Sequence, residues 1–113
     1  MAHGESKALA AIEAIKSSVT SPTSGALNFI RLNLADLSTI PASVVSFHAA
    51  ESRLDVLFNN AGIASAPLGS KTAQGMEPHF GVNCVGPFLF MKLLTPTPIS
   101  TAKQSPVNSV RVV

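Results

Sequence analysis

The feature that most constrains this chain is an apolar run that ends in two short amides and a glycine. Leu54 to Phe58 is a five-residue, mostly apolar stretch, and it leads directly into Asn59-Asn60-Ala61-Gly62. A short apolar run bounded by turn residues reads as a strand buried on both faces, the pattern of a parallel sheet. Parallel strands need crossovers, usually helices. The rest of the chain supplies that alternation.

A first helix is expected over Ser6 to Val19, with Leu9, Ile12, Ile15 and Val19 at spacings of three and four and Ser6 as N-cap. Ser21, Pro22, Ser24 and Gly25 read as a loop. Leu27 to Leu34, with Phe29, Ile30 and Leu32, reads as a strand. A second helix is expected from Ser38, with Pro41 in its first turn and Ile40, Val44 and Phe47 on its apolar face. A third should cover Glu77 to Leu94, with Pro78 in its first turn and a kink at Pro87. Pro96, Pro98 and Pro106 read as a linker, and Ser109 to Val113 as the opening of another strand. A run that is still apolar at its last residue reads as a truncated strand. Strands alternating with helices predict βαβ units in an α/β fold.

Composition narrows the function classes. Of 113 residues, 46% are hydrophobic and only 12% charged, which argues against intrinsic disorder. The net charge is +2, the Lys and Arg residues are scattered, and Trp and Tyr are absent. That is not the clustered basic face with aromatic platforms of a nucleic-acid binder. Val85 to Leu94 is interrupted by Gly86, Pro87 and Lys92 and falls short of the about 20 residues that span a bilayer. One cysteine, Cys84, allows no intrachain disulfide, and the start of the chain has no signal-peptide pattern, so the expected location is the cytosol.

Two readings share the Asn-Asn-Ala-Gly segment. Ligands in open α/β sheets sit at the carboxyl ends of strands, where amides can bond them and glycine permits close approach. Asn and Gly are also ordinary strand-end turn residues. Spacing alone does not separate the two. His79 and Cys84 have no third candidate ligand nearby, so no metal site is expected. Cys84 reads as a small buried residue. Met76 and Met91 read as packing residues, with Phe88, Phe90 and Leu93 burying the third helix. His48 reads as a surface or boundary residue and Asp55 as a sheet-edge partner. Ser65, Ser70 and Ser109 have no adjacent base.

A second cluster follows: Thr72, Gly75, Glu77, Phe80, Val82, Asn83, Gly86 and Phe88. With Asn59-Asn60-Ala61-Gly62, it resembles the short-chain dehydrogenase/reductases. Those carry an N-N-A-G strand end and then T-x-x-G-x-E-x-x-F-x-V-N-x-x-G-x-F. All eight fixed positions of the second pattern are met, and the likeness runs from about Ser6 to Val113. It implies an incomplete Rossmann-like, doubly wound parallel sheet, with residues 1–113 forming part of an NAD(P)-binding domain. It implies NAD or NADP as cofactor and a small-molecule alcohol or carbonyl substrate. Asn59, Asn60, Ala61 and Gly62 would line the cofactor site. Asn83 would take the family's structural and proton-relay position. Asn33 stands where the family usually has an Asp that meets the adenine amino group, and His3 stands near the place of an Arg that NADP-preferring members use.

The departures carry equal weight. The family's Gly-rich pyrophosphate loop has no counterpart, and its catalytic Tyr has none in a sequence without tyrosine. In a sheet of order 3-2-1-4-5-6 the third and fourth strands are not neighbours, so the strand at Leu54 to Phe58 should present an open apolar edge. The chain alone is therefore expected to be inactive. Alternatives are a non-catalytic module pairing with a full-length paralogue through the helix at 77–94, or an expressed fragment without selected function.

Overall fold

In the computed structural model the described residues are 4–20 and 25–113. They divide into two compact units, Met1–Arg31 and Leu32–Val113.

The first unit is built on α1, Glu5–Ser18. Its N-cap is Gly4, in extended backbone and with no side-chain cap bond, so Ser6 lies inside the helix and is not the expected cap. Ser17 and Ser18 turn their hydroxyls back onto the Ala14 and Ile15 carbonyls at 2.9 and 2.8 Å. That local bond competes with helix continuation and marks the C-terminal turn. No residue of α1 is buried. Ser21, Pro22, Ser24 and His3 lie outside the described residues.

Residues 27 to 34 form no strand, contrary to the expectation. A strand exists through its ladder, and among the described residues none pairs with this stretch. Leu34 is instead buried in the second unit, with Ile40, Val44 and Leu94. Ile40 and Val44 come from α2, Ile40–Ala50. A 3-10 turn, Leu37–Thr39, precedes α2, and Asp36 caps that turn by accepting from the Ser38 N–H at 3.1 Å. Pro41 sits in the first turn of α2, as its missing N–H requires.

Two strands pair in parallel. β1 is Val56–Leu57 and β2 is Arg111–Val112, in register Val56↔Arg111 and Leu57↔Val112. The Arg111 and Val113 N–H groups donate to the Asp55 and Leu57 carbonyls, both at 2.9 Å, and the Asn59 N–H donates to the Val113 carbonyl at 2.7 Å. The main-chain groups of Val56 and Phe58 therefore face the other edge. β1 is shorter than expected and is not buried on both faces: Leu54 to Leu57 are half-buried and Phe58 is exposed. A two-stranded sheet does not cover both sides of a strand.

The third helix is continuous from Pro78 to Leu94 but changes gauge. α3 is Pro78–Phe80, a π-helical turn covers Gly81–Val85, and α4 is Gly86–Leu94. The Gly86 N–H reaches back to the Gly81 carbonyl, the wide hydrogen bond of a π-turn. The distortion expected at Pro87 thus falls in the turn before it. Proline lacks the N–H that would bond residue 83 and crowds that carbonyl, and the widened turn accommodates both. α4 packs on α2.

The segment read as a linker is α5, Pro96–Ala102. Its prolines fall in the first turn, where N–H groups have no helical partner. Two buried threonines attach α5: Thr97 Oγ1 lies 2.8 Å from His48 Nε2, and Thr101 Oγ1 accepts from the Leu54 N–H at 3.0 Å. Arg53 adds a bidentate bond to Asp55, with Nε to Oδ2 at 2.8 Å, and reaches Ser105 Oγ at 2.9 Å.

Candidate functional site

The Asn-Asn-Ala-Gly turn leaves the carboxyl end of β1 and is held by one side chain of the π-turn. Asn83 Oδ1 accepts from the Ile63 N–H at 2.8 Å, and Asn83 Nδ2 donates to the Ile63 carbonyl at 3.0 Å. A single amide satisfies both main-chain groups of one residue, its oxygen accepting and its nitrogen donating. Gly62 lies directly against it: a Cβ at position 62 would stand 2.9 Å from Asn83 Oδ1. Of the candidate residues, the fold therefore joins Gly62 and Asn83. Asn59 and Asn60 are exposed just before them, and Ala61 is half-buried.

The first residue of α4, just after the π-turn, meets the segment that carries Asn33. A Cβ at Gly86 would lie 2.9 Å from the Leu34 carbonyl oxygen and 3.0 Å from Leu34 Cβ. Asn33 is half-buried, and its Oδ1 accepts from the Ala35 N–H at 3.1 Å. That bond closes a turn of the Asx type. The oxygen's second lone pair is uncommitted by that bond. Asn33 and the Asn59 to Gly62 turn are thus tied to one helical segment, through Leu34 and Ile63 respectively.

The remaining motif residues build the helix start. The Thr72 and Gly75 N–H groups donate to the Met76 and Thr72 carbonyls at 3.0 and 2.9 Å, and the Met76 N–H donates to Thr72 Oγ1 at 3.1 Å. Gly75 has φ of 76°, left-handed backbone that glycine adopts without strain. Glu77 is the N-cap, with Oε2 accepting from the Phe80 N–H at 2.8 Å. Its other oxygen, Oε1, lies 2.7 Å from His79 Nδ1. The Phe80 and His79 N–H groups and the His79 ring hold the Glu77 carboxyl down to about 2. Gly81 lets the helix close on this loop, since a Cβ there would stand 2.5 Å from Thr72 Cγ2.

Two residues that the pattern passes over matter here. Gln74 Nε2 donates to Asp36 Oδ1 and its Oε1 accepts from the Leu37 N–H, both at 3.0 Å, while the Ala73 N–H donates to the Ala35 carbonyl at 3.0 Å. Bonds from Ser38 and then Gln74 lower the Asp36 pKa below the usual carboxylate range. These partners lie more than thirty residues apart, so no local signal marks them.

Other expectations change. Cys84 is exposed, not buried. Phe88 is 59% exposed and does not bury its helix, and Phe80 is 57% exposed. Leu89, Phe90, Met91 and Leu93 are half-buried, and Leu94 is the buried residue of α4. Among the described residues no three His, Cys, Asp or Glu side chains are grouped to hold a metal ion, and no helix is long and apolar enough to cross a membrane.

The short chain dehydrogenase family model matches residues 2–108. A short-chain dehydrogenase/reductase of Phomopsis amygdali is 51% identical over 112 residues, which is 99% of this chain and 33% of that protein. One from Emericella nidulans is 57% identical over 89 residues, 79% of this chain and 28% of that protein. Mouse retinol dehydrogenase 12 is 47% identical over 64 residues, 57% of this chain and 20% of that protein. The chain spans about a third of the length of the first two relatives. No solved structure matches it. The glycines, the helix cap and the Asn83 clamp that make up the matched pattern are thus parts of one interlocked structure, and the chain belongs to the short-chain dehydrogenase/reductase family.

Proposed function

We propose that these residues form part of the cofactor-binding region of an NAD(P)-dependent oxidoreductase acting on an alcohol or carbonyl, and that the 113-residue chain alone turns over no substrate. In this reading Asn59, Asn60, Ala61 and Gly62 line the dinucleotide site, Asn33 faces its adenine end, and Asn83 serves the catalytic group. The observation that carries the reading is the Asn83–Ile63 clamp, which sets an open amide turn at the carboxyl end of a parallel strand. The exposed amides and the glycine suit a flat, polar ligand; the Gly-rich loop for a pyrophosphate is missing from the sequence. A bound nicotinamide would supply or accept a hydride. The accompanying proton would need a base, and the sequence contains no tyrosine to serve as one.

Titration of the chain with NADPH and NADH, followed by reduced-cofactor fluorescence, tests this. The expected result is no saturable binding in the micromolar range and no turnover. Saturable micromolar binding would show that a cofactor site forms without the Gly-rich loop. A second reading is a non-catalytic module that pairs with a full-length relative through residues 77–94. The exposed rings of Phe80 and Phe88 favour it. A dispersed NMR spectrum, no cofactor binding and a defined complex with a full-length relative would support that second reading; a chain that stays monomeric in such mixtures counts against it.

A further inference from the structure

The segment that carries Asn33 is gripped from the loop that opens the helix at 78–94, and the grip falls on three successive residues. The Ala73 N–H donates to the Ala35 carbonyl, Gln74 Nε2 donates to Asp36 Oδ1, and the Leu37 N–H donates to Gln74 Oε1, all at 3.0 Å. Asp36 Oδ1 also accepts from the Ser38 N–H at 3.1 Å and from the Ser38 hydroxyl at 2.6 Å. Asn33 closes on the same short stretch. Its Oδ1 accepts from the Ala35 N–H at 3.1 Å, and its carbonyl accepts from the Asp36 N–H at 3.4 Å. The residues that fix the Asn33 side chain are thus among those that Ala73 and Gln74 hold. Gln74 stands on a firm base. Thr72, Gly75 and Met76 close their loop through main-chain bonds and the Thr72 hydroxyl, and none of these bonds uses the Gln74 side chain. Glutamine suits the place because its amide pairs a donor with an acceptor. Here the donor meets a carboxylate and the acceptor a main-chain N–H.

We propose that Gln74 is the positioning residue for Asn33: its side-chain amide latches Asp36 and Leu37, and so holds the Asn33 side chain in one orientation. That Asn33 faces the adenine end of a dinucleotide rests on the function proposed above; that Gln74 holds it does not. The helix at 78–94 and the loop that opens it then set both parts of the site, Asn83 through Ile63 and Gln74 through the turn at 33–38. The latch has a chemical signature. A glutamate at position 74 would keep the acceptor for the Leu37 N–H, lose the donor to Asp36, and set two carboxylates side by side. Protonated, it would regain the donor without a change of shape. The like charge raises the pH at which the pair takes up that proton above the ordinary glutamate value of about 4.3.

Amide hydrogen exchange on the full chain, with no nucleotide present, tests it at Ala35, whose N–H bonds the Asn33 side chain, and at Leu37, whose N–H bonds Gln74. Protection, corrected for base catalysis, is followed from about pH 7 down to about pH 4, across the carboxylate range. The wild type should be flat, since Glu77 titrates at about 2 and Asp36 below its ordinary value. Gln74→Ala should lower protection several-fold at both sites and leave Ile63, which Asn83 holds, unchanged. Gln74→Glu should match the alanine variant near neutral pH and recover toward wild type on acidification. Unchanged Ala35 protection in Gln74→Ala, a Gln74→Glu variant that equals wild type near neutral pH, or one that fails to recover in acid would each overturn the proposal. A loss that extends to Ile63 would also overturn it, because Gln74 would then support the whole unit and not Asn33. No outcome depends on nucleotide binding, so the adenine-end reading stands or falls separately, by the cofactor titration.

Discussion

The first helix and the helix at residues 78–94 both carry apolar side chains at helical spacing, yet they differ in everything that fixes a helix in place. α1 has a glycine N-cap without a side-chain bond, no buried residue, and Leu9 and Ile15 each 49% exposed. The helix at 78–94 has a glutamate cap, one buried glycine opening its π-turn and another just after it, an asparagine that grips a neighbouring loop, and a fully enclosed Leu94. Periodicity says which face could be buried. Steric fit and paired polar groups decide whether that face is held.

The largest expected effect comes from filling the glycine contacts of the helix at 78–94. Gly86→Ala would place a Cβ 2.9 Å from the Leu34 main-chain oxygen, which has little room to move. Alanine would ordinarily favour a helix by about 1 kcal/mol. Overpacking costs about 1–3 kcal/mol and should win, lowering the urea midpoint of the second unit. A neutral or stabilising result would mean that the contact with Leu34 is loose and the contrast with α1 overstated. Gly81→Val, larger and facing Thr72 Cγ2 at 2.5 Å, should be worse than Gly86→Ala in the same assay.

Asn83→Ala comes next. It strands the Ile63 N–H and carbonyl, and should cost about 1–2 kcal/mol, reduced toward the lower figure by solvent access. Faster amide exchange at Ile63, with the rest of the helix unchanged, is the expected signature. Asn83→Asp keeps the acceptor for the Ile63 N–H but loses the donor, so it should fall between wild type and alanine.

The acid limb sharpens the comparison through the caps. Glu77 titrates at about 2 in the folded chain, against an ordinary 4.5. A depressed carboxyl contributes stability that is present above the ordinary value and lost as pH falls through the folded one. Urea midpoints should therefore drop between those two values, and Glu77→Gln should flatten part of that drop. Asp36 and Asp55, also lowered, should keep the remainder. The smallest effect is expected from α1, where Leu9→Ala or Ile15→Ala should change stability by no more than about 0.5 kcal/mol. A cost above that would mean that the stripe is covered in solution, and would erase the contrast.

Much of the motif was legible from residue chemistry. Asn59 to Gly62 was readable as a strand end, Pro41 and Pro78 as first-turn prolines, and Ser109 to Val113 as a strand, because these follow from local rules of φ, missing N–H groups and apolar runs. Leu27 to Leu34 was misread, since strand propensity has no force without a ladder partner. Pro96 and Pro98 were misread as linker residues because prolines in a first turn resemble prolines in a loop. Gln74 gave no signal at all: its value lies wholly in Asp36 and Leu37, far away in the chain.

The sequence by itself determined the family, the strands near Leu54 to Phe58 and Ser109 to Val113, and the first-turn places of Pro41 and Pro78, because those demands arise within a few residues of backbone. Only the tertiary structure decided that Asn83 closes on Ile63, that Gly86 rests on Leu34, that the helix widens ahead of Pro87, and that Cys84 and Phe88 face outward. Each of those depends on distances between segments remote in the chain, which side-chain chemistry permits and packing selects.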